Sequence, residues 1–271
     1  METFTQKFKR KMRERFHRFD SWVYPIYWWK RFPLHWLPSL MLQRLIIYEF
    51  LGRKNQVLSV KFPPLKNLRM RSNNSHLGGI RYFGWWETEL WSIFRQYIPR
   101  AGSFMEIGAM EGFYEVIAKK LNPQCTVLAV EPTPGAYELI AENFRLNNLD
   151  INEKFVFCDK FVADVSSEKT TTIEKLLSGL PQPIFLLMDI DGGEEKALKG
   201  GIQALTKNQM YLLIETHSPE LEKACIRILN EHGFQTSIIK NAWWRIFWPE
   251  ERPAPKLGVV HNRWLWATNI K

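Results

Sequence analysis

Cysteine is scarce in this 271-residue chain: there are three, Cys125, Cys158 and Cys225. An odd number without paired spacing argues against a disulfide framework or a thiolate zinc site. It fits a reducing, cytoplasmic setting with each thiol a small buried hydrophobe. Long apolar runs are also lacking. The most apolar stretch, Leu34 to Leu51, is interrupted by Pro38, Gln43, Arg44 and Glu49, short of the ~20 residues a membrane span needs. It starts too late for a secretory signal, no small-residue cleavage site follows, and the arm before it is too poor in serine for a transit peptide. No internal repeat, low-complexity tract or nucleic-acid motif occurs, so nucleic acid is not indicated as a partner.

What is present is an uneven charge. The net charge is +9, yet residues 1–54 hold 12 Lys/Arg against 4 Asp/Glu, leaving 25 basic and 24 acidic residues for 55–271. The basicity belongs to an arm, and the rest is neutral. In that arm Phe4, Phe8, Met12, Phe16 and Phe19 fall on one arc of a helix, and Trp22, Tyr24, Tyr27, Trp28, Trp29, Phe32 and Trp36 follow. Basic residues mixed with tryptophan and tyrosine suit an anionic membrane surface, reached through residues 1–36. The other reading packs these aromatics on the neutral body. Residues 1–54 are thus expected to be a basic, aromatic-rich helical extension, with an apolar helix over 39–51, and 55–271 the main domain.

Short strands and turns are expected over 55–84 and a helix from Trp85 to Ile98. From 103 onward strands and helices alternate. The strands fall at 103–107, 126–131, 154–158, 184–190, 210–217, 234–239 and 258–267, and the helices at 112–121, 134–147, 171–178, 193–205 and 219–232. That rhythm predicts a doubly wound α/β fold, a mainly parallel sheet with helices on both faces.

The first of these strands runs into Glu106-Ile-Gly-Ala-Met-Glu-Gly112 and then a helix. Glycine at Gly108 and Gly112 suits close approach of a ligand to a turn that ends in a helix N-terminus. The second strand ends in Glu131, 23 residues after Gly108, where a carboxylate can accept both ribose hydroxyls of an adenosine. A dinucleotide fingerprint also needs glycine at 110 and 113, where the chain has Met110 and Phe113, so a nicotinamide cofactor is disfavoured. The spacing present suits a cofactor with an ammonium group and no phosphate.

Five segments resemble, in order and spacing, the motifs of the FkbM-type methyltransferases that use S-adenosylmethionine (SAM). They are Glu106-Ile-Gly-Ala-Met-Glu-Gly112, Val130-Glu-Pro-Thr-Pro134, Thr172-Ile-Glu-Lys-Leu176, Met188-Asp-Ile-Asp-Gly-Gly-Glu194 and Ile214-Glu-Thr-His217. The resemblance covers roughly 85–235. It implies the Rossmann-like, seven-stranded class I methyltransferase fold with its last strand antiparallel. It implies SAM held by Glu106, Gly108, Ala109, Gly112, Glu131, Pro132 and Asp189, and usually methylation of a hydroxyl on a sugar or polyketide-type product. Asp159 stands where an adenine amino group is often read, or is a turn aspartate. Three positions depart from the family pattern: Glu106 replaces Asp, Met110 replaces Asn, and Asp191 replaces Glu.

Asp189 and Asp191 lie two apart at one strand end, and Glu215 and His217 repeat that spacing on the next. Glu194 follows at a helix start, where an acid is also favourable to the helix dipole. Ionisable groups converging on the C-terminal edge of the sheet mark a site. His217, Asp189, Asp191 or Glu215 can take the proton of an acceptor hydroxyl, and Asp189, Asp191 and Glu215 can instead hold a divalent cation. The expected acceptor is a small molecule or glycan. The rival reading is a methyltransferase-fold binding module at a membrane surface that has lost turnover. Trp243, Trp244, Phe247, Trp248, Trp264 and Trp266 suggest either an aromatic lid over an acceptor or the meeting surface for the arm.

Overall fold

The computed structural model describes residues 57–61, 63–71, 84, 86–242 and 263–270. The basic arm, the 39–51 helix, most of the strands and turns expected over 72–84, and Trp243, Trp244, Phe247 and Trp248 lie outside the described residues. The strands are β1 Val57–Ser59, β2 Arg69–Arg71, β3 Ser103–Ile107, β4 Thr126–Val130, β5 Phe155–Cys158, β6 Phe161–Val162, β7 Thr170–Thr171, β8 Ile184–Met188, β9 Met210–Thr216, β10 Gln235–Ile239 and β11 Arg263–Thr268. The α-helices are α1 Trp91–Tyr97, α2 Phe113–Leu121, α3 Ala136–Leu146, α4 Ile173–Leu177, α5 Glu194–Lys199, α6 Ile202–Lys207 and α7 Pro219–Glu231.

Seven strands form one sheet in the order β10-β11-β9-β8-β3-β4-β5. The pairs from β9 through β5 are parallel, and β11 runs antiparallel to both of its neighbours. Both faces of the central strands are apolar, as expected for parallel strands covered on each side. Phe104, Val127, Ala129, Phe185, Leu187 and Leu213 face one core, with residues of α1, α2 and α3. Met105, Ile107, Leu128, Val130, Leu186, Met188 and Ile214 face the other, with residues of α4 through α7.

Register is what builds the site. Ile107 pairs with both Val130 and Met188, and Met188 pairs with Ile214, so these four residues form one row. The next residue on each strand is Gly108, Glu131, Asp189 and Glu215. Side chains alternate along a strand, so those three acids share the face that carries Phe104, as does Glu106.

Among the described residues the expected elements of 86–242 and 263–268 are present, with differences of physical cause. The helix expected over 193–205 is two, because Gly200-Gly201 interrupts it; a Cβ on Gly201 would lie 2.4 Å from Ile173. Trp85 to Ile98 begins later than expected, as a 3-10 turn Thr88–Leu90 before α1. The pair β6–β7 was not anticipated: two-residue strands carry no periodicity. Asn143 and Asn147, one turn apart on α3, bind the backbone of β2 at Arg71 and Arg69, and so tie the β1–β2 hairpin to the main sheet's helices.

Candidate active site

The turn after β3 is held open by three left-handed residues, Gly108 (φ 95°), Met110 (φ 47°) and Gly112 (φ 78°). Its glycines serve the protein's own packing. A Cβ on Gly108 would sit 2.0 Å from the Asp189 carbonyl oxygen, and one on Gly112 2.9 Å from Ile140. Each is required where two elements touch. Ala109 is buried beside them. The turn is fastened to β4 by the Gly108 and Ala109 amides, both donating to the Val130 carbonyl.

Glu131 completes that fastening. Its carboxylate accepts the Met110 amide at 3.0 Å and the Thr133 amide at 2.9 Å. A carboxylate offers about four acceptor positions, so two remain for ribose hydroxyls. Pro132 is half-buried next to it, and Asp159, one residue past β5, is exposed.

Beneath the turn lies a carboxyl pair that reading the sequence did not reveal. Glu106 and Glu115 are 4% and 0% exposed. Burial first, then the charges of Glu115, Asp189 and Glu87, holds Glu106 well above the usual carboxylate range. Burial pushes Glu115 up to about 7, while its hydrogen bond with Glu106 works the other way. Both shifts run the same way, so burial favours a proton held within this pair. Glu115 looked like an ordinary acid in a helix first turn, and only the packing of α2 shows its direction.

The second cluster is centred on His217. Ser218 caps α7 by accepting the Leu221 amide, and Pro219 occupies the first turn, so the chain bends into a helix directly after His217. The imidazole is buried. Its Nδ1 faces Glu194 Oε1 in a short hydrogen bond. Its Nε2 lies 3.1 Å from Asp191, 3.4 Å from Asp189 and 3.5 Å from Glu215. Burial alone would lower the pKa of this ring. Contacts with Asp189, Asp191, Glu194 and Glu215 outweigh it and raise His217 far above the imidazole range. With no ion beside it, the ring then favours its cationic form at neutral pH. Glu194, expected only near the cluster, orients the ring.

Asp189, Asp191, Glu215 and His217 are therefore gathered at one point, with Glu106, Gly108, Ala109, Gly112, Glu131 and Pro132 on the adjoining strand ends. The aromatic lid is not seen in the described tryptophans. Trp264 is buried in the core with its indole N–H donating to Glu87 at 3.2 Å, and Trp266 stacks on Tyr211. Among the described residues no helix is long and apolar enough to cross a membrane.

A seven-stranded sheet of this order, antiparallel only along β11, is the class I methyltransferase arrangement. Residues 160–236 match the family model of the Methyltransferase FkbM domain. No curated protein matches the chain. Among solved structures, methyltransferase FkbM from Methylobacillus flagellatus is 15% identical, with a TM-score of 0.47 over 61% of this chain and 43% of that one. An O-methyltransferase from Bacillus cereus in complex with SAH is 11% identical, with a TM-score of 0.43 over 65% of this chain and 78% of that one. Precorrin-6y C5,15-methyltransferase from Geobacter metallireducens is 12% identical, with a TM-score of 0.43, over 66% and 87% respectively. The fold assignment rests on the sheet order, not on these distant likenesses.

Proposed function

We propose that the protein is a SAM-dependent methyltransferase acting on a hydroxyl of a sugar, glycan or natural-product-type small molecule. The observation that carries this is the row of acids at the C-terminal edge of the sheet, together with the FkbM-type sequence of 160–236. SAM is a cation at its sulfonium and its ammonium. An edge that offers the carboxylates of Glu131 and Asp189 complements it. When bound, SAM supplies a methyl group that a nucleophilic oxygen displaces, with S-adenosylhomocysteine as leaving group.

Each residue then has a task. Glu131 accepts the ribose hydroxyls while its two backbone hydrogen bonds keep it in place. Glu106 and Asp189 face the ammonium end. Asp191, whose side chain is 65% exposed, is the group best placed to take the acceptor's proton as the oxygen attacks. Isothermal titration tests the cofactor: saturable heat with SAM and S-adenosylhomocysteine is expected, and none with either would sink the reading. Mass spectrometry of a cell extract incubated with labelled SAM and the protein identifies the acceptor.

We also infer action at an anionic membrane surface in the cytoplasm, supported by the charge of the arm. Deleting residues 1–36 should abolish pelleting with anionic liposomes and leave SAM binding intact. Unchanged pelleting would refute it.

A further inference from the structure

We propose that Asp189, Glu215 and His217 hold a divalent cation at the ends of β8 and β9. One ligating atom from each of the three lies within 4.8 Å of the others. The Nε2 atom is 3.4 Å from Asp189 Oδ1 and 3.5 Å from Glu215 Oε2. Neighbouring ligand atoms on a six-coordinate ion with bonds of ~2.1 Å stand about 3 Å apart, so closing around an ion needs only a small contraction.

The ring itself is the independent sign. The His217 side chain is 2% exposed, yet its Nε2 makes no hydrogen bond of acceptable geometry. Were the nitrogen present only to donate a proton, its N–H would be aimed at a single carboxylate oxygen. Instead it points between several. Its other nitrogen is held by Glu194, whose side chain is fully buried. A carboxylate on the far nitrogen of an imidazole is the support that metal-ligating histidines commonly have, because it fixes the ring and raises its basicity.

One imidazole with two carboxylates suits manganese, iron, cobalt or zinc better than magnesium or calcium. Three ligands from two adjacent strand ends leave further coordination positions open beside the exposed Asp191. An acceptor hydroxyl bound there would be acidified before its proton passes to Asp191. That use of the ion rests on the methyltransferase reading; its presence does not.

The test is a Mn(II) titration of the full-length protein after chelator treatment and dialysis, following the free-ion signal by electron paramagnetic resonance. One site per chain is expected, weakened at least tenfold in Asp189→Asn and in Glu215→Gln. Glu168→Gln, at an exposed acid, should leave it unchanged. Glu194→Gln keeps all three ligands but loosens the ring, and should weaken binding roughly 10- to 100-fold. Circular dichroism establishes that each variant is folded, and Glu194→Gln carries the test where a ligand variant is not. No saturable site in the wild type, or a site that persists in the folded variants, overturns the proposal. SAM titrations on the same samples separate the two ideas: SAM binding without Mn(II) binding removes only the ion, and the reverse removes only the cofactor.

Discussion

The two acidic clusters adjoin, are built from the same kinds of side chain, and have opposite electrostatics. Among the described residues no cation stands against Glu106 and Glu115, so burial and mutual repulsion drive the pair to keep a proton. Asp189, Asp191, Glu194 and Glu215 surround an imidazole and together raise the pKa of His217. Both clusters are buried among carboxyl groups, and a counter-charge within reach is what separates them. The first cluster gives the turn a neutral floor, and the second offers charge at the mouth of the site.

The seam between them is Gly108, and the largest effect is expected there. A Cβ at this residue meets the Asp189 carbonyl oxygen at 2.0 Å, and its φ of 95° disfavours any side chain. Gly108→Ala should force β3 and β8 apart and cost on the order of 4 kcal/mol or abolish folding. Soluble yield and urea unfolding measure this. A folded variant of unchanged stability would mean that the two strand ends are not in contact.

Next is His217→Gln, which removes the cation from the second cluster. In chelator-treated protein at pH 6, unfolding by urea should show a loss of about 3 kcal/mol, because four carboxylates are left without their partner. The folded-state pKa of His217 is raised, so its contribution is complete below about 6.5 and is lost as pH rises through the raised value. The wild type should thus be more stable at pH 6 than at pH 9. Unchanged stability in the variant would erase the distinction between the clusters.

Glu115→Gln should do the opposite. The folded pKa of Glu115 is raised from 4.5 to about 7, so its stabilising effect is present below 4.5 and lost as pH rises through 7. Glutamine imitates the protonated form at every pH. The variant should match the wild type near pH 4 and exceed it by about 3 kcal/mol at pH 8. Paired thermal melts at the two pH values read this directly, and a destabilised variant at pH 8 would place a hidden cation beside the pair.

How much of this was legible follows from where each residue sits. Glu131, Asp189 and Glu215 end apolar runs, and in parallel strands of matched register run ends align, so the acidic edge could be read from the chain. His217 could be placed with them by its two-residue offset from Glu215. Glu115 and Glu194 could not be assigned, because an acid in the first turn of a helix has a sufficient local reason to be there. Their functions depend on which way α2 and α5 face the sheet. Trp264 misled for a related reason: a tryptophan-rich tail reads as a surface, whereas β11 inserts between β9 and β10 and buries it. The packing reason for the glycines could not be read from the chain, since close contact with Asp189 and Ile140 is a tertiary fact.

The smallest expected effect concerns Met110, which sits on the turn above the first cluster. Its φ of 47° lies in the left-handed region, where an unbranched side chain costs roughly 1 kcal/mol and asparagine is better tolerated. The methionine is 44% exposed, so replacing it gives up little buried surface. Its amide, not its side chain, holds Glu131. Met110→Asn should therefore stabilise the protein by about 0.5–1 kcal/mol in thermal or urea unfolding. Because Glu131 keeps its hydrogen bond, SAM affinity measured by titration should change less than twofold. A fall in stability would show that the thioether packs on the turn, and a large change in affinity would make the side chain part of the cofactor site.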